Sequence, residues 1–146
     1  MEAFCYTLFM TNHVEIQKAG AVVIRDRRLL VTRSAGKDFF IAPGGKLEAG
    51  ETPHQALKRE LQEEIQIDVD LATLESLGTF SADAAGSSGT MLEMHVFIVH
   101  DYTGEPAPSS EIEEIRWISS QDGNIKIGSI FEHDVMPLLM ARGLIE

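Results

Sequence analysis

The chain has 146 residues, and 12 Lys and Arg against 23 Asp and Glu give it a formal net charge of −11. This acidic surplus argues against a nucleic acid polymer as partner, because such proteins need a basic surface that displaces counterions. The length predicts one domain over residues 1–146, and the single cysteine excludes an intramolecular disulfide. With neither a basic leader nor an apolar run of about 18 residues, we expect a cytoplasmic protein without a membrane partner.

The first half of the chain is predicted to form strands. Residues 1–16 mix aromatic and polar side chains without a clear period, which is typical of an edge strand or a contact arm and is compatible with a homodimer. Residues 18–25 form a β-branched apolar run that predicts a buried strand. A charged turn and a second apolar run at 29–32 predict a hairpin. Residues 43–45, Pro-Gly-Gly, are typical of a loop.

A helix is predicted over residues 52–65. Thr52 suits the N-cap and Pro53 the first helical position, and Gln55 completes a capping box. Three apolar residues at i, i+4 and i+8 then form one stripe along this helix.

The second half of the chain alternates strands and loops before a last helix. Strands are predicted at 74–80, 91–100 and 112–118, with a strand-like stretch at 67–69, polar loops at 81–90 and 104–110, and a helix at 131–141 that Pro137 weakens or kinks. This order of elements predicts an α/β sandwich with a mixed β-sheet.

Three carboxylates cluster on the first helix. Glu60, Glu63 and Glu64 are spaced i, i+3, i+4, so they lie on one side, where like charges cost roughly 0.2–0.5 kcal/mol per exposed pair. Raised pKa values or a bound divalent cation would relieve the repulsion. Carboxylate oxygens suit Mg²⁺ or Mn²⁺. The alternative is a solvated acidic face with an Arg59–Glu63 ion pair.

The segment around this helix resembles the Nudix box, the signature of the Nudix hydrolase family. The matching pattern is Gly45-x5-Glu51-x7-Arg59-Glu60-Leu61-x-Glu63-Glu64-x-Gln66-Ile67. Only Gln66 departs, because it stands where the family has glycine. A non-glycine residue disfavours a left-handed helix end, so we expect a different ending here. The resemblance implies a Nudix-type α-β-α sandwich.

The resemblance also implies roles for the matching residues. Glu60, Glu63 and Glu64 would bind the divalent metal, Mg²⁺ or alternatively Mn²⁺, with one of them serving as the base. Glu51 would pair with Arg59 and brace the loop against the helix.

Two further metal ligands are implied outside the helix. A carbonyl oxygen of Gly44 or Gly45 would complete the coordination. In MutT-like members an acid also enters from a later loop, for which Glu111 is the better match and Glu93 a rival on a predicted strand.

The implied reaction is hydrolysis of a pyrophosphate bond in a nucleoside diphosphate linked to a group X. Because residues typical of other Nudix subgroups are missing from the sequence, we favour a MutT-like nucleoside triphosphate pyrophosphohydrolase that releases a nucleoside monophosphate and pyrophosphate. The alternatives are hydrolysis of ADP-ribose or a nucleotide sugar, or a nucleotide-sensing module without turnover. Arg33 and Lys46 are candidate phosphate contacts, and Phe40 is a candidate for stacking on the base.

Overall fold

The computed structural model describes residues 14–83 and 90–146. Strands within these residues are β1 (Val14–Val22), β2 (Ile24–Arg25), β3 (Arg28–Ser34), β4 (Gly44–Lys46), β5 (Leu74–Asp83), β6 (Met91–Val99) and β7 (Ile112–Ile118). The helical elements are α1 (Pro53–Ile65), a 3₁₀ turn (Leu71–Thr73), a π-helical turn (Phe131–Val135) and α2 (Met136–Ala141).

The strands form a mixed four-stranded sheet and an antiparallel three-stranded sheet. The first has the order β4-β1-β6-β5, in which β1 and β6 run parallel and the other neighbours antiparallel. The second has the order β2-β3-β7. The predicted α/β class with a mixed sheet is therefore confirmed, as are the hairpin of β2 with β3 and the strand over Ile112–Ile118.

Helices cover the two faces of the four-stranded sheet. On one face, Leu57, Leu61 and Ile65 of α1 are completely buried in an apolar cluster that includes β1 and β6 residues. On the other face, the π-helical turn and α2 contribute side chains such as Phe131 and Leu139 to a second buried cluster. The i, i+4, i+8 stripe predicted for α1 is therefore its buried face.

The expectation of a plain loop at residues 43–45 is wrong in part, because Gly44–Lys46 forms strand β4 beside β1. This strand approaches β1 very closely. At Gly44, where φ is 143°, a Cβ atom would collide with the backbone carbonyl of Ala19. Glycine is therefore required by the strand pairing at this position.

Helix α1 begins as predicted but ends differently. The Thr52 hydroxyl accepts a hydrogen bond from the Gln55 N–H (3.1 Å), and the Gln55 side chain accepts one from the Thr52 N–H (3.0 Å). At the other end Gln66 adopts the left-handed conformation (φ 61°, ψ 34°), so the expected non-left-handed ending is wrong. Its amide donates to the carbonyls of Ala107 (3.4 Å) and Pro108 (3.3 Å), which ties the helix end to the loop before β7.

The C-terminal helical segment is irregular, as its proline predicts. A π-helical turn over Phe131–Val135 leads into α2, in which Pro137 occupies the first turn. Proline has no N–H to donate, so the hydrogen-bonding pattern changes next to it.

Two predictions lie wholly or largely outside the described residues. They are the arm at 1–16, whose described residues 14–16 belong to β1, and the loop at 81–90, into which β5 extends as far as Asp83. Among the described helices, none is long and apolar enough to cross a membrane.

Candidate active site

The three helix carboxylates differ sharply in exposure. The side chain of Glu60 is 14% exposed and that of Glu63 is 54% exposed, while Glu64 as a residue is only 4% exposed. The Glu60 carboxylate lies directly over β4, since a Cβ atom at Gly45 would come within 2.6 Å of its carboxyl carbon. Gly45 therefore leaves the space that the Glu60 carboxylate fills.

Glu64 is a buried acid at the edge of β4. Its Oε1 accepts a hydrogen bond of 2.8 Å from the N–H of Gly44. Burial, more than any other cause, raises the pKa of the Glu64 carboxyl to about 8; the Gly44 bond opposes this shift, and the neighbouring acids Glu60 and Glu111 add to it. The Glu111 carboxyl is therefore close enough to Glu64 to act on its ionisation.

Arg59 balances the acids on the solvent side of this edge. Its guanidinium donates two bonds to Glu51 (2.8 and 2.9 Å) and one to Glu60 (2.9 Å), and it lies 3.5 Å from Glu63. It also donates to the carbonyl of Lys46 (3.1 Å), which fixes the helix to the end of β4. These bonds from Arg59, before all other causes, lower the pKa of the Glu51 carboxyl to about 2. The predicted Glu51–Arg59 pair is therefore present.

The two candidates for the later acid lie in different places. Glu111 stands just before β7, and its carboxyl reaches Glu64. The Ser110 hydroxyl and then the Glu111 N–H lower the pKa of the Glu111 carboxyl. Glu93 lies on β6, where its Oε1 is 3.4 Å from Nε2 of His95. Of these two, Glu111 is the acid that the fold brings to the helix carboxylates.

This donor set fits a hard divalent cation in chemistry. Carboxylate oxygens of Glu60, Glu64 and Glu111 meet at one edge, beside a glycine backbone that no Cβ obstructs. Glu64, whose pKa is raised to about 8, keeps a proton that a cation would replace. Within residues 14–83 and 90–146, no three His, Cys, Asp or Glu side chains are already gathered around a common point. The Glu60 carboxylate is bonded instead to Arg59, whose guanidinium also bonds Glu51.

A cleft of about 410 Å³ opens on the face of the four-stranded sheet that α1 does not cover. Its floor includes Gly20 of β1 and Met94 of β6, and Phe131 and Ile130 close it from the C-terminal segment. It runs up to Gly44 and Gly45, so an apolar slot ends at the strand that carries the carboxylate edge.

The predicted substrate contacts are divided by the fold. Lys46 lines the cleft. The guanidinium of Arg33, on β3, is instead bonded to Glu113 and Glu114 of β7, each at 3.2 Å. Phe40 is not available for stacking on a base, because it is only 6% exposed and belongs to the apolar core. Its neighbour Phe39, 39% exposed, lines the cleft instead.

Several cleft residues were missed from sequence because they come together only through strand pairing. Lys18, Met94 and Phe131 lie more than 30 residues apart yet line the same slot. The one signal in the sequence was the charged residue Lys18 at the start of the apolar run 18–25. Nothing in the sequence showed that this residue would pair with β4.

The glutamates of α1, the glycines of β4 and the adjacent apolar cleft agree with the expected class, a hydrolase that cleaves phosphoanhydride bonds. A family model described as the NUDIX domain matches residues 16–139, and the chain belongs to this family. It is a Nudix pyrophosphohydrolase of MutT-like kind.

Two curated relatives and one solved structure illustrate the similarity. An oxidized purine nucleoside triphosphate hydrolase of Danio rerio is 33% identical over 126 residues, covering 83% of this chain and 77% of that protein. An 8-oxo-dGTP diphosphatase of Haemophilus influenzae is 40% identical over 80 residues, covering 53% and 55%. The solution structure of the E. coli ORF135 protein matches with a TM-score of 0.67 and 28% identity, covering 88% of each chain.

Proposed function

We propose that this chain hydrolyses a nucleoside triphosphate to a nucleoside monophosphate and pyrophosphate, in a reaction that depends on Mg²⁺. The observation that carries the proposal is the carboxylate edge, at which Glu60 and Glu64 meet the glycine backbone of β4 beside the apolar cleft, with Glu111 close to Glu64. The names of the two relatives, which specify oxidised purine nucleotides, favour a purine triphosphate with an oxidised base.

The metal would be held by Glu60 and Glu64, with Glu63, Glu111 and the Gly44 carbonyl as further ligands. When bound, Mg²⁺ supplies positive charge for the phosphate oxygens and increases the acidity of a water molecule. The chain's own contribution is to orient these carboxylates. Gly45 leaves the space for Glu60, and the N–H of Gly44 fixes one oxygen of Glu64.

Arg59 acts in this proposal as a positioning residue. It anchors the loop before α1 through Glu51 and holds the Glu60 carboxylate in the absence of a cation. Since Glu51 provides two of its bonds, Arg59 keeps a partner when Glu60 turns toward a cation. Glu63 is the most exposed of the three helix acids, so it is the one free to act as base on a water molecule.

The cleft would hold the nucleoside. Phe39 and Phe131 offer aromatic surface, and Lys46 lies where the slot meets the carboxylate edge. The phosphate chain would then lie between Lys46 and the metal ligands.

The experiment measures nucleoside monophosphate formation from a panel of nucleotides with Mg²⁺, comparing the wild type with Glu60→Gln and with Glu132→Gln. Losing one group that stabilises transition-state charge lowers kcat by about 10²–10³-fold, so Glu60→Gln should lose at least that much. Glu132 is exposed on the π-helical turn, and its variant carries the same change of charge.

The panel also decides between the alternatives. Turnover of triphosphates, strongest with 8-oxo-dGTP, supports the proposal, whereas exclusive turnover of ADP-ribose or a nucleotide sugar replaces the substrate class. If the wild type is inert on every compound, the chain is a binding module and the proposed reaction is wrong.

A further inference from the structure

Most of the cations of this acidic chain are already paired. Nine of the 12 Lys and Arg side chains lie within 4.0 Å of a carboxylate oxygen. The remaining three are Lys18, Lys37 and Lys46, whose ammonium groups form neither an ion pair nor a hydrogen bond with any residue that the structure describes. Such lysines are unexpected in a chain where acids outnumber bases almost two to one.

Two of these three lysines are neighbours across a pair of strands. Lys18 of β1 and Lys46 of β4 are directly opposite in the antiparallel register, so their side chains lie on the same face of the sheet. That face is the cleft face. Ala19 packs against α1, and therefore the side chains on either side of it in the strand, Lys18 and Gly20, face away from that helix.

Their environment is unfavourable without an anion. Burial, and after it the positive charge of Lys46, lowers the pKa of the Lys18 ammonium, while the carboxylates of Glu64 and Glu60 oppose this shift. Like charges directly opposite on adjacent strands destabilise a sheet. An anion between the two ammonium groups would remove this repulsion and would be held by charge-assisted hydrogen bonds.

The neighbours of Lys18 indicate which part of a nucleotide would reach it. On its other side, Lys18 is in register with Met94, which lies against Gly20 on the apolar floor of the slot. On the β4 side lie Lys46 and then the carboxylate edge. Lys18 thus stands between the apolar slot and the carboxylate edge.

We propose that Lys18 is a phosphate-binding residue that forms, with Lys46, a two-ammonium clamp for the phosphate group nearest the nucleoside. This inference rests on the proposed function, since it assigns one subsite of the same substrate. It also explains how the cleft supplies positive charge although Arg33 is bonded to Glu113 and Glu114. The clamp binds the monophosphate portion without a metal, and this separates it from the carboxylate edge.

The test is binding in the presence of EDTA, measured by calorimetry. Each of the four deoxynucleoside monophosphates is compared with its own nucleoside on the wild type, Lys18→Met, Lys18→Arg and Lys37→Met. Removing one charge-assisted hydrogen bond should weaken monophosphate binding by about tenfold or more in Lys18→Met, while nucleoside binding changes less than twofold. Lys18→Arg, which keeps the charge, should retain most of the affinity.

Lys37→Met is the matched control, since Lys37 is also unpaired but exposed and away from the cleft. It should bind like the wild type. The proposal is overturned if Lys18→Met binds monophosphates as the wild type does, if it loses nucleoside and monophosphate equally, or if Lys37→Met shows the same loss.

Failure of the clamp is distinguishable from failure of the reaction. The binding assay contains no metal and no turnover, so a clamp that fails leaves Mg²⁺-dependent hydrolysis to be judged separately. If Lys18→Met does not fold, as judged by circular dichroism, Lys46→Met takes its place with the same expected loss. No difference between any wild-type monophosphate and its nucleoside would also overturn the proposal.

Discussion

The two sides of β4 treat charge in opposite ways. On the α1 side, acids crowd together and are balanced within the protein by Arg59 and by the N–H of Gly44. On the cleft side, two lysines face each other without a carboxylate partner in the part of the chain that the structure describes. In the function proposed above, the first side would bind a cation and the second side an anion.

The comparison teaches that net charge is a poor guide to what an acidic protein binds. With a formal charge of −11, this chain would repel a polyphosphate on average. The proposed function reverses that expectation locally, since it assigns a cation site to one face of β4 and an anion site to the other. The following predictions test each side in turn, from the largest expected effect to the smallest.

The first prediction concerns the space that Gly45 leaves for Glu60. Gly45→Ala should lower kcat/KM by about 10²-fold, since a displacement of about 1 Å at a reacting group has that effect. The control is Gly123→Ala, where an added Cβ meets no atom within 4 Å. If Gly45→Ala retains more than a tenth of the activity, then catalysis does not depend on the observed position of the Glu60 carboxylate.

The second prediction concerns the buried acid of the α1 side. The pKa of Glu64 is about 8 in the folded protein against an ordinary 4.5. A raised carboxyl pKa means that the unfolded state releases the proton first, so metal-free stability falls as the pH rises from 4.5 to 8. Denaturant midpoints in EDTA measure this slope, and Glu64→Gln should flatten it. An unchanged slope in that variant would remove Glu64 as its source.

The third prediction concerns the ion pair that braces α1. Arg59 lowers the pKa of Glu51 to about 2, so this carboxylate stabilises the fold above pH 4.5 and loses its effect as the pH falls toward 2. Glu51→Gln should destabilise the protein at pH 7 and by less at pH 3. Glu113→Gln is a control at an exposed Arg33 pair. Equal losses at both pH values would contradict the assignment.

The fourth prediction concerns the end of α1 and is the smallest. Gln66→Gly should relieve a left-handed conformation that costs a non-glycine residue about 1 kcal/mol. The variant also loses the two long hydrogen bonds from the Gln66 side chain to the carbonyls of residues 107 and 108, which reduces this gain. The net change in unfolding free energy should be a gain below about 1 kcal/mol. Turnover should be unchanged, since Gln66 touches neither side of β4. A clear destabilisation would show that the side-chain bonds dominate.

Local signals predicted the α1 side well. The capping box, the apolar stripe and the i, i+3, i+4 acids are all encoded within residues 52–65, where helical geometry fixes which side chains are neighbours. The resemblance to the Nudix box added the partner Glu51 and the acid Glu111. Apart from Glu111, these parts depend on one helical turn or one short loop alone.

The cleft side depended on pairing between distant strands. Lys18 meets Lys46 and Met94 only because β1 lies between β4 and β6, and a shift by one residue would have turned it to the α1 face. The same limit explains Phe40, since the alternation in an irregular segment does not reveal which of two adjacent phenylalanines is buried. For Gln66, the capping bonds of the fold outweighed the residue's own backbone preference.

The central claim is that the clustered glutamates bind a divalent cation. Titration calorimetry with MgCl₂ and with MnCl₂ tests it most directly, on the wild type and on Glu60→Gln, with and without a nucleotide. We predict uptake by the wild type that releases a proton near neutral pH, and weaker uptake by the variant. Absence of uptake of either ion, both with and without the nucleotide, would contradict the account.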